Sequence, residues 1–166
     1  MALTKSQGNG RFGVHSLRGR ALRLLSQRDY TRAEMLAKLT PHCSSMDELH
    51  ALLADMMEKG WLDDKRAADS LVHRQATRYG VARIRRDLQA KGVAPDLIVE
   101  ALTELADSEL MRATAVWHKK FGSMPETPTE QAKQIRFLLA RGFSVQVIRQ
   151  VIRGVDERLG EDGGGV

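Results

Sequence analysis

From Gly60 to Ile98 the chain reads GWLDDKRAADSLVHRQATRYGVARIRRDLQAKGVAPDLI, and the punctuation of this stretch decides the fold class. Gly60 stops a preceding amphipathic segment, because glycine takes the left-handed conformation that closes a helix at little steric cost. Asp63 or Asp64 then offers a carboxylate to the exposed N–H groups that begin the next helix. Trp61 and Leu62 are placed to pack between structural units. Further on, Ile84 and Leu88 form a helical stripe, while Arg83 and Arg86 lie within one turn of each other and off that stripe. Gly92 ends this helix, and Pro95 suits the first turn of another that buries Leu97, Ile98, Ala101, Leu102 and Leu105. Nothing here alternates with a period of two over useful length, so the stretch predicts helices near 64–79, 81–91 and 95–106 and no strand.

The flanks carry the same kind of signals. Ser45 and Glu48 make a capping-box pattern ahead of Leu49, Leu52, Leu53, Met56 and Met57, all expected inward. Thr31 and Glu34 start a shorter helix with Met35, Leu36 and Leu39 inward. Thr127, Pro128 and Glu130 precede Ile135, Leu138 and Leu139, and Gly142 closes that helix. Ser144 caps the last one, where Phe143 and Ile148 are spaced as a hydrophobic staple and Val151, Ile152 and Val155 continue the stripe. Helices are thus predicted near 17–28, 31–39 and 46–59 on one side, and near 108–121, 128–141 and 145–157 on the other.

These segments repeat. ARIRRDLQAKGV from Ala82 lies on AKQIRFLLARGF from Ala132 at an offset of 50, with Ala82/Ala132, Arg86/Arg136, Leu88/Leu138, Ala90/Ala140 and Gly92/Gly142 identical. At an offset of 49, Ala33, Met35 and Leu39 fall on Ala82, Ile84 and Leu88 as a weaker first copy. The expectation is an all-α tandem array of three three-helix repeats forming an elongated body that can curve. The repeats would span 17–62, 63–106 and 107–157, between a flexible segment 1–16 and a flexible glycine-rich tail 158–166. Lys133 and Arg136 occupy in the third unit the angles of Arg83 and Arg86 in the second, whereas the first unit has Glu34 and Ala37 there.

Composition agrees with a folded domain: 166 residues, 42% hydrophobic and 28% charged, with formal net charge +5. The charge alternates in blocks, +6 over 65–91, −5 over 93–110 and +6 over 111–153. Such blocks suit either a polyanionic partner or solvated helix faces with local ion pairs. The absence of a long apolar run excludes a membrane span and a secretory leader, which points to a cytoplasmic protein. The single cysteine, Cys43, excludes an internal disulfide. His42, Cys43 and His50 lack zinc spacing, the Asp63–Asp64 pair gathers no further ligands, and His73 and His118 read as surface or packing residues. No glycine-rich phosphate loop, nucleophile elbow or pair of catalytic carboxylates can be assembled, so neither a metal nor a cofactor is expected.

The stretch from Gly60 to Ile98 strongly resembles the RecX family of recombination regulators in its order of glycine, aromatic, leucine and two acids, then an arginine–alanine helix, a glycine, an Arg-Ile helix and a Lys-Gly-apolar turn. The resemblance continues through RFLLARGF, from Arg136 to Phe143, and covers about 17 to 155. Two positions depart from the family pattern: Ala67 stands where Phe is usual, and Val81 where Pro is common.

The resemblance implies a non-enzymatic regulator of homologous recombination and the SOS response. Such a protein binds the RecA–DNA filament groove and inhibits its ATPase, strand-exchange and coprotease activities, with no small-molecule substrate. For this chain, Arg83, Arg85, Arg86, Lys91, Lys133, Arg136 and Arg141 are the candidate contacts to recombinase or phosphate, supported by Arg74 and Arg78. Gly60, Trp61, Leu62, Asp63 and Asp64 form the candidate turn between repeats. DNA contacts of its own are expected to be weak and blind to sequence. The competing reading is a stand-alone helical DNA-binding regulator, since three-helix units can mimic a helix-turn-helix.

Overall fold

The computed structural model describes residues 16–160, with side-chain surroundings given through Arg153. Residues 158–160 continue the last helix where a flexible tail was expected, while 161–166, most of the N-terminal segment and the Val155 side chain lie outside the described residues. The chain divides into two compact units at Asp63/Asp64. The first contains α1 (Leu17–Leu25), α2 (Arg32–Leu39), a short 3-10 turn (Thr40–His42) and α3 (Met46–Glu58). The second contains α4 (Asp64–Gln75), α5 (Val81–Ala90), α6 (Pro95–Asp107), α7 (Glu109–Lys120), α8 (Pro128–Ala140) and α9 (Val145–Gly160). There is no strand among the described residues, and none of their helices is long and apolar enough to cross a membrane.

Each triplet of helices buries its own apolar cluster. Ala21, Met35, Leu39, Leu49, Leu53, Met56 and Leu62 fill the first, Ile84, Leu88, Ile98 and Leu102 centre the second, and Trp117, Leu138, Phe143, Ile148 and Val151 the third. The stripes are narrower than the sequence suggested. Met57 is exposed, because at about 100° per residue it lies about 80° round α3 from Leu49, at the edge of the buried arc. Leu139 is exposed for the same reason, being more than a quarter turn from Leu138.

The caps explain why the helices start and stop here. Thr31 and Glu34 make the full reciprocal box, each side chain accepting the other's backbone N–H at 3.1 Å. Ser45, Thr127 and Ser144 accept the N–H groups of Glu48, Glu130 and Val147. At the other ends α3, α5 and α8 finish alike. The N–H groups of Trp61, Val93 and Phe143 reach back to the carbonyls of Met56, Leu88 and Leu138 at 2.9, 3.2 and 3.3 Å, around Gly60, Gly92 and Gly142. The offset of 50 thus aligns two identical helix terminations. Two helices end earlier than periodicity suggested, α1 at Leu25 and α4 at Gln75. The residues from Ala76 to Tyr79 turn off the helix axis, which frees carbonyls that a later helix uses.

The third core contains one buried polar pair. The Trp117 indole N–H donates to Gln134 Oε1 at 2.7 Å, and Gln134 Nε2 donates to the Ser123 carbonyl at 3.3 Å. Gln134 stands where Ile84 stands in the second triplet, so an apolar repeat position here serves as an acceptor. Gln134→Leu is expected to lower stability by about 1–3 kcal/mol by orphaning the indole N–H, read as a shift of the urea midpoint at constant slope.

Of the expected turn between repeats, Gly60 adopts φ +67° and Leu62 is 1% exposed within the first unit's own core. Trp61 does not pack away: it is 41% exposed, with the Arg18 guanidinium 5.2 Å and the Lys59 ammonium 5.6 Å from its ring. Those cations hold the indole at the surface and account for its failure to bury. Asp63 is half-buried and directly precedes Asp64, the first residue of α4.

Candidate functional site

Within the second unit, the turn between α4 and α5 meets the turn between α8 and α9 backbone to backbone. The Gly80 N–H donates to the Arg141 carbonyl at 2.8 Å and the Ala82 N–H to the Gly142 carbonyl at 3.2 Å. A methyl group on Gly80 would sit 2.2 Å from the Gly142 carbonyl oxygen, so only glycine permits this approach.

Helix α7 locks the junction from below. Arg112 Nη1 donates to the carbonyls of Ala76 (2.9 Å) and Tyr79 (2.8 Å), and Nη2 to that of Leu105 (2.9 Å). One guanidinium thereby satisfies the ends of α4 and α6, where unpaired carbonyls carry partial negative charge. Three residues earlier, Glu109 Oε1 accepts the Val81 N–H at 3.0 Å at the positive end of α5. Val81 is the position where the resemblance leads one to expect Pro; the N–H that Pro would lack is taken up by this carboxylate. Burial pushes the Arg112 pKa down, with the charge of Glu109 acting in the opposite direction.

Beside the junction opens a groove of about 660 Å³ lined by Thr77, Arg78, Tyr79, Ala115, Val116, Lys119, Lys120, Phe137 and Arg141. Four of these are cations and none is a carboxylate. Arg141 is held in place: its guanidinium lies 4.5 Å from the Phe137 ring and 5.9 Å from Tyr79, and Nη1 donates to the Arg78 carbonyl at 3.3 Å. Arg83 covers Tyr79 at 4.1 Å, with Nη1 3.5 Å from the Ala140 carbonyl. The aromatic faces are thus already occupied by guanidinium groups, and the groove offers outward hydrogen-bond donors over a partly apolar floor.

The sequence-predicted cations divide accordingly. Arg78 and Arg141 line the groove, and Arg83 is half-buried at the junction beside it. Arg85 and Arg86 are exposed on α5, and Lys133 and Arg136 on α8; none of these four makes an ion pair among the described residues. Arg74 is exposed and donates to Ser70 Oγ at 2.6 Å, while half-buried Lys91 caps the end of α5. Sequence reasoning missed Lys119 and Lys120. Their adjacency at the end of a cationic helix was visible, but their convergence with Arg78 depends on how α7 crosses α4. Arg112 and Glu109 were missed as well, because a side chain that caps another helix's backbone has no local pattern. The other histidine and cysteine positions also find local roles: His50 Nδ1 lies 3.2 Å from Arg32 Nη2, and Cys43 Sγ donates to the Thr40 carbonyl.

Comparison with known proteins fits this architecture. Residues 63–102 match the family model for the second three-helix domain of RecX, and residues 107–152 that for the third. The regulatory protein RecX of Ralstonia nicotianae is 45% identical over 148 residues, spanning 89% of this chain and 92% of its own length. That of Leptothrix cholodnii is 45% identical over 147 residues, spanning 89% and 94%. A crystal structure of RecX from Lactobacillus salivarius superposes with a TM-score of 0.70 at 22% identity, covering 84% of this chain and 94% of that one. With its second and third helical triplets matched in order and its relatives aligned over nearly their whole length, the chain belongs to the RecX family of regulatory proteins.

Proposed function

We propose that this protein is a non-enzymatic regulator of homologous recombination and the SOS response in the cytoplasm, acting on the RecA recombinase. It lies in the helical groove of the RecA filament on single-stranded DNA and depresses ATP hydrolysis, strand exchange and coprotease function. The observation that carries this reading is the groove between the α4–α5 turn, α7 and the end of α8, where Arg78, Lys119, Lys120 and Arg141 converge with no carboxylate among the lining residues. A cationic surface backed by the glycine junction suits an acidic or phosphate-bearing assembly, and the exposed Arg74, Arg85, Arg86, Lys133 and Arg136 add positive charge to the same unit. Contacts to several filament subunits inhibit only if they favour one filament state over another, so binding must differ between states.

Arg83 is a poor probe of this surface, because its guanidinium stacks on Tyr79 inside the junction. Lys119 and Lys120 are exposed at the end of α7 and serve better. Lys119→Glu/Lys120→Glu is expected to raise the concentration needed for half-inhibition of the cognate recombinase ATPase by about tenfold or more, with an unchanged helical circular dichroism spectrum. An inhibition curve superimposing on that of the parent would remove the groove from the filament contact. Tight, sequence-selective duplex binding without recombinase would favour the stand-alone DNA-binding reading instead.

A further inference from the structure

The α8–α9 hairpin leaves a groove of about 400 Å³ floored by Ile135, Leu139, Val145, Ile148 and Ile152. Ile148 and Ile152 belong to the buried core, but Leu139 is 42% exposed and Val145 53%. The remaining lining residues are Gln131, Arg149 and Arg153, so the groove holds no carboxylate and no aromatic ring. Neither arginine makes an ion pair among the described residues, and the exposed Arg136 stands three positions before Leu139 on the opposite wall. The fold does not demand apolar side chains at this place. At the offset of 50, Ile135 and Leu139 fall on Arg85 and Gln89, both exposed on α5 in a hairpin of the same design. Aliphatic surface that the repeat can do without, rimmed by cations, has the composition of a docking surface.

We infer that this groove receives an amphipathic helix of a partner protein, with aliphatic residues on its inner face and aspartates or glutamates along its flanks. Both walls are helices, which offer an incoming extended strand no ladder to join, whereas a helix arrives with its backbone groups already bonded to one another. Along α9, Val145 to Arg153 spans about 12 Å, room for two turns of helix with anchors at i, i+3 or i+4, and i+7. Charge selects the flanks. Arg149 and Arg153 donate only, Arg136 adds a third cation, and α9 begins at Val145, which places the positive end of its dipole at the same edge. The floor has no ring on which a nucleic-acid base could stack. A second copy of this chain is a poorer match, because its acid-rich helices α3 and α6 bury Leu49, Leu53 and Met56, and Ile98, Leu102 and Leu105, in their own cores. The inference does not depend on the filament reading, whose cationic groove has a different set of lining residues.

The test titrates the full chain, by fluorescence anisotropy, against a fluorescein-labelled helical peptide with leucines at i, i+3, i+4 and i+7 and glutamates on its flanks. Two twins serve as comparisons, one with serines for the leucines and one with lysines for the glutamates. The parent is expected to bind each twin at least about tenfold more weakly than the first peptide. Ile135→Arg/Leu139→Gln installs the residues that α5 carries, and is expected to weaken binding at least about tenfold although it adds a positive charge. Arg149→Glu/Arg153→Glu should invert the preference between the glutamate and lysine peptides, a readout that loss of folding cannot produce. Equal binding of the leucine and serine peptides by the parent would overturn the inference, as would parental affinity in a folded Ile135→Arg/Leu139→Gln protein. Displacement of the peptide by an equal concentration of oligothymidylate would give the groove to nucleic acid instead. Sedimenting dimers of the parent that Ile135→Arg/Leu139→Gln abolishes would give it to a second copy. None of these results touches the Lys119/Lys120 ATPase titration, so the two proposals fail separately.

Discussion

Gly142→Ala and Gly80→Ala are each expected to destabilise the second unit by about 3–5 kcal/mol, well beyond ordinary surface substitutions. The two glycines fail for partly different reasons. Gly142 adopts φ +82°, and a Cβ there would lie 2.5 Å from Arg83 Cβ and 2.6 Å from the Arg83 nitrogen. Gly80 has an unexceptional φ of −78°, so its cost comes from proximity alone, with the Gly142 oxygen at 2.2 Å and the Phe143 nitrogen at 2.4 Å from an added Cβ. The obstructing atoms are largely backbone and cannot rotate aside. Gly60→Ala is the internal control: Gly60 has φ +67° but nothing within 4 Å of an added Cβ, so only the conformational term of about 1–2 kcal/mol applies. Urea denaturation of the three variants should separate the junction glycines from Gly60. Equal midpoints for all three would show that the close approach contributes nothing.

Arg112→Met is the second large expected loss, about 3–5 kcal/mol, although the substitution keeps an unbranched apolar chain in place. The carbonyls of Ala76, Tyr79 and Leu105 lose their common donor, and Glu109, only 9% exposed, loses a nearby positive charge. Arg112→Lys should recover only part of this, since an ammonium cannot reproduce a planar fork that donates to two helix ends at once. Midpoints in the order parent, Lys, Met at constant slope would support this account; equal losses for Lys and Met would reduce the residue's role to simple charge. Groove binding should fall along with stability, because Arg78 and Tyr79 are carried on the turn that Arg112 holds.

The helices were legible because their signals are local. Thr31 with Glu34, Pro95 and the three terminating glycines each act within one turn of chain, so the periods and breaks in the sequence translate directly into α1 to α9. The offset of 50 between Gly92 and Gly142 was legible for the same reason. The groove was only half legible. Arg78 and Arg141 are 63 positions apart and meet because Gly80 and Gly142 touch. The sequence signals glycine at helix ends, but it does not say that two such ends share hydrogen bonds. Trp61 was misjudged because one of the two cations beside its ring, Arg18, comes from a distant helix of the unit and leaves no local signal.

The reach of α7 back to its predecessors also governs how the chain tolerates shortening. A polypeptide ending at Ala106 would keep every residue of α4 and α5, yet the carbonyls of Ala76 and Tyr79 and the amide of Val81 would lose their partners. Premature termination ahead of Arg112 therefore damages the preceding helical triplet too, leaving a product whose frayed ends invite proteases.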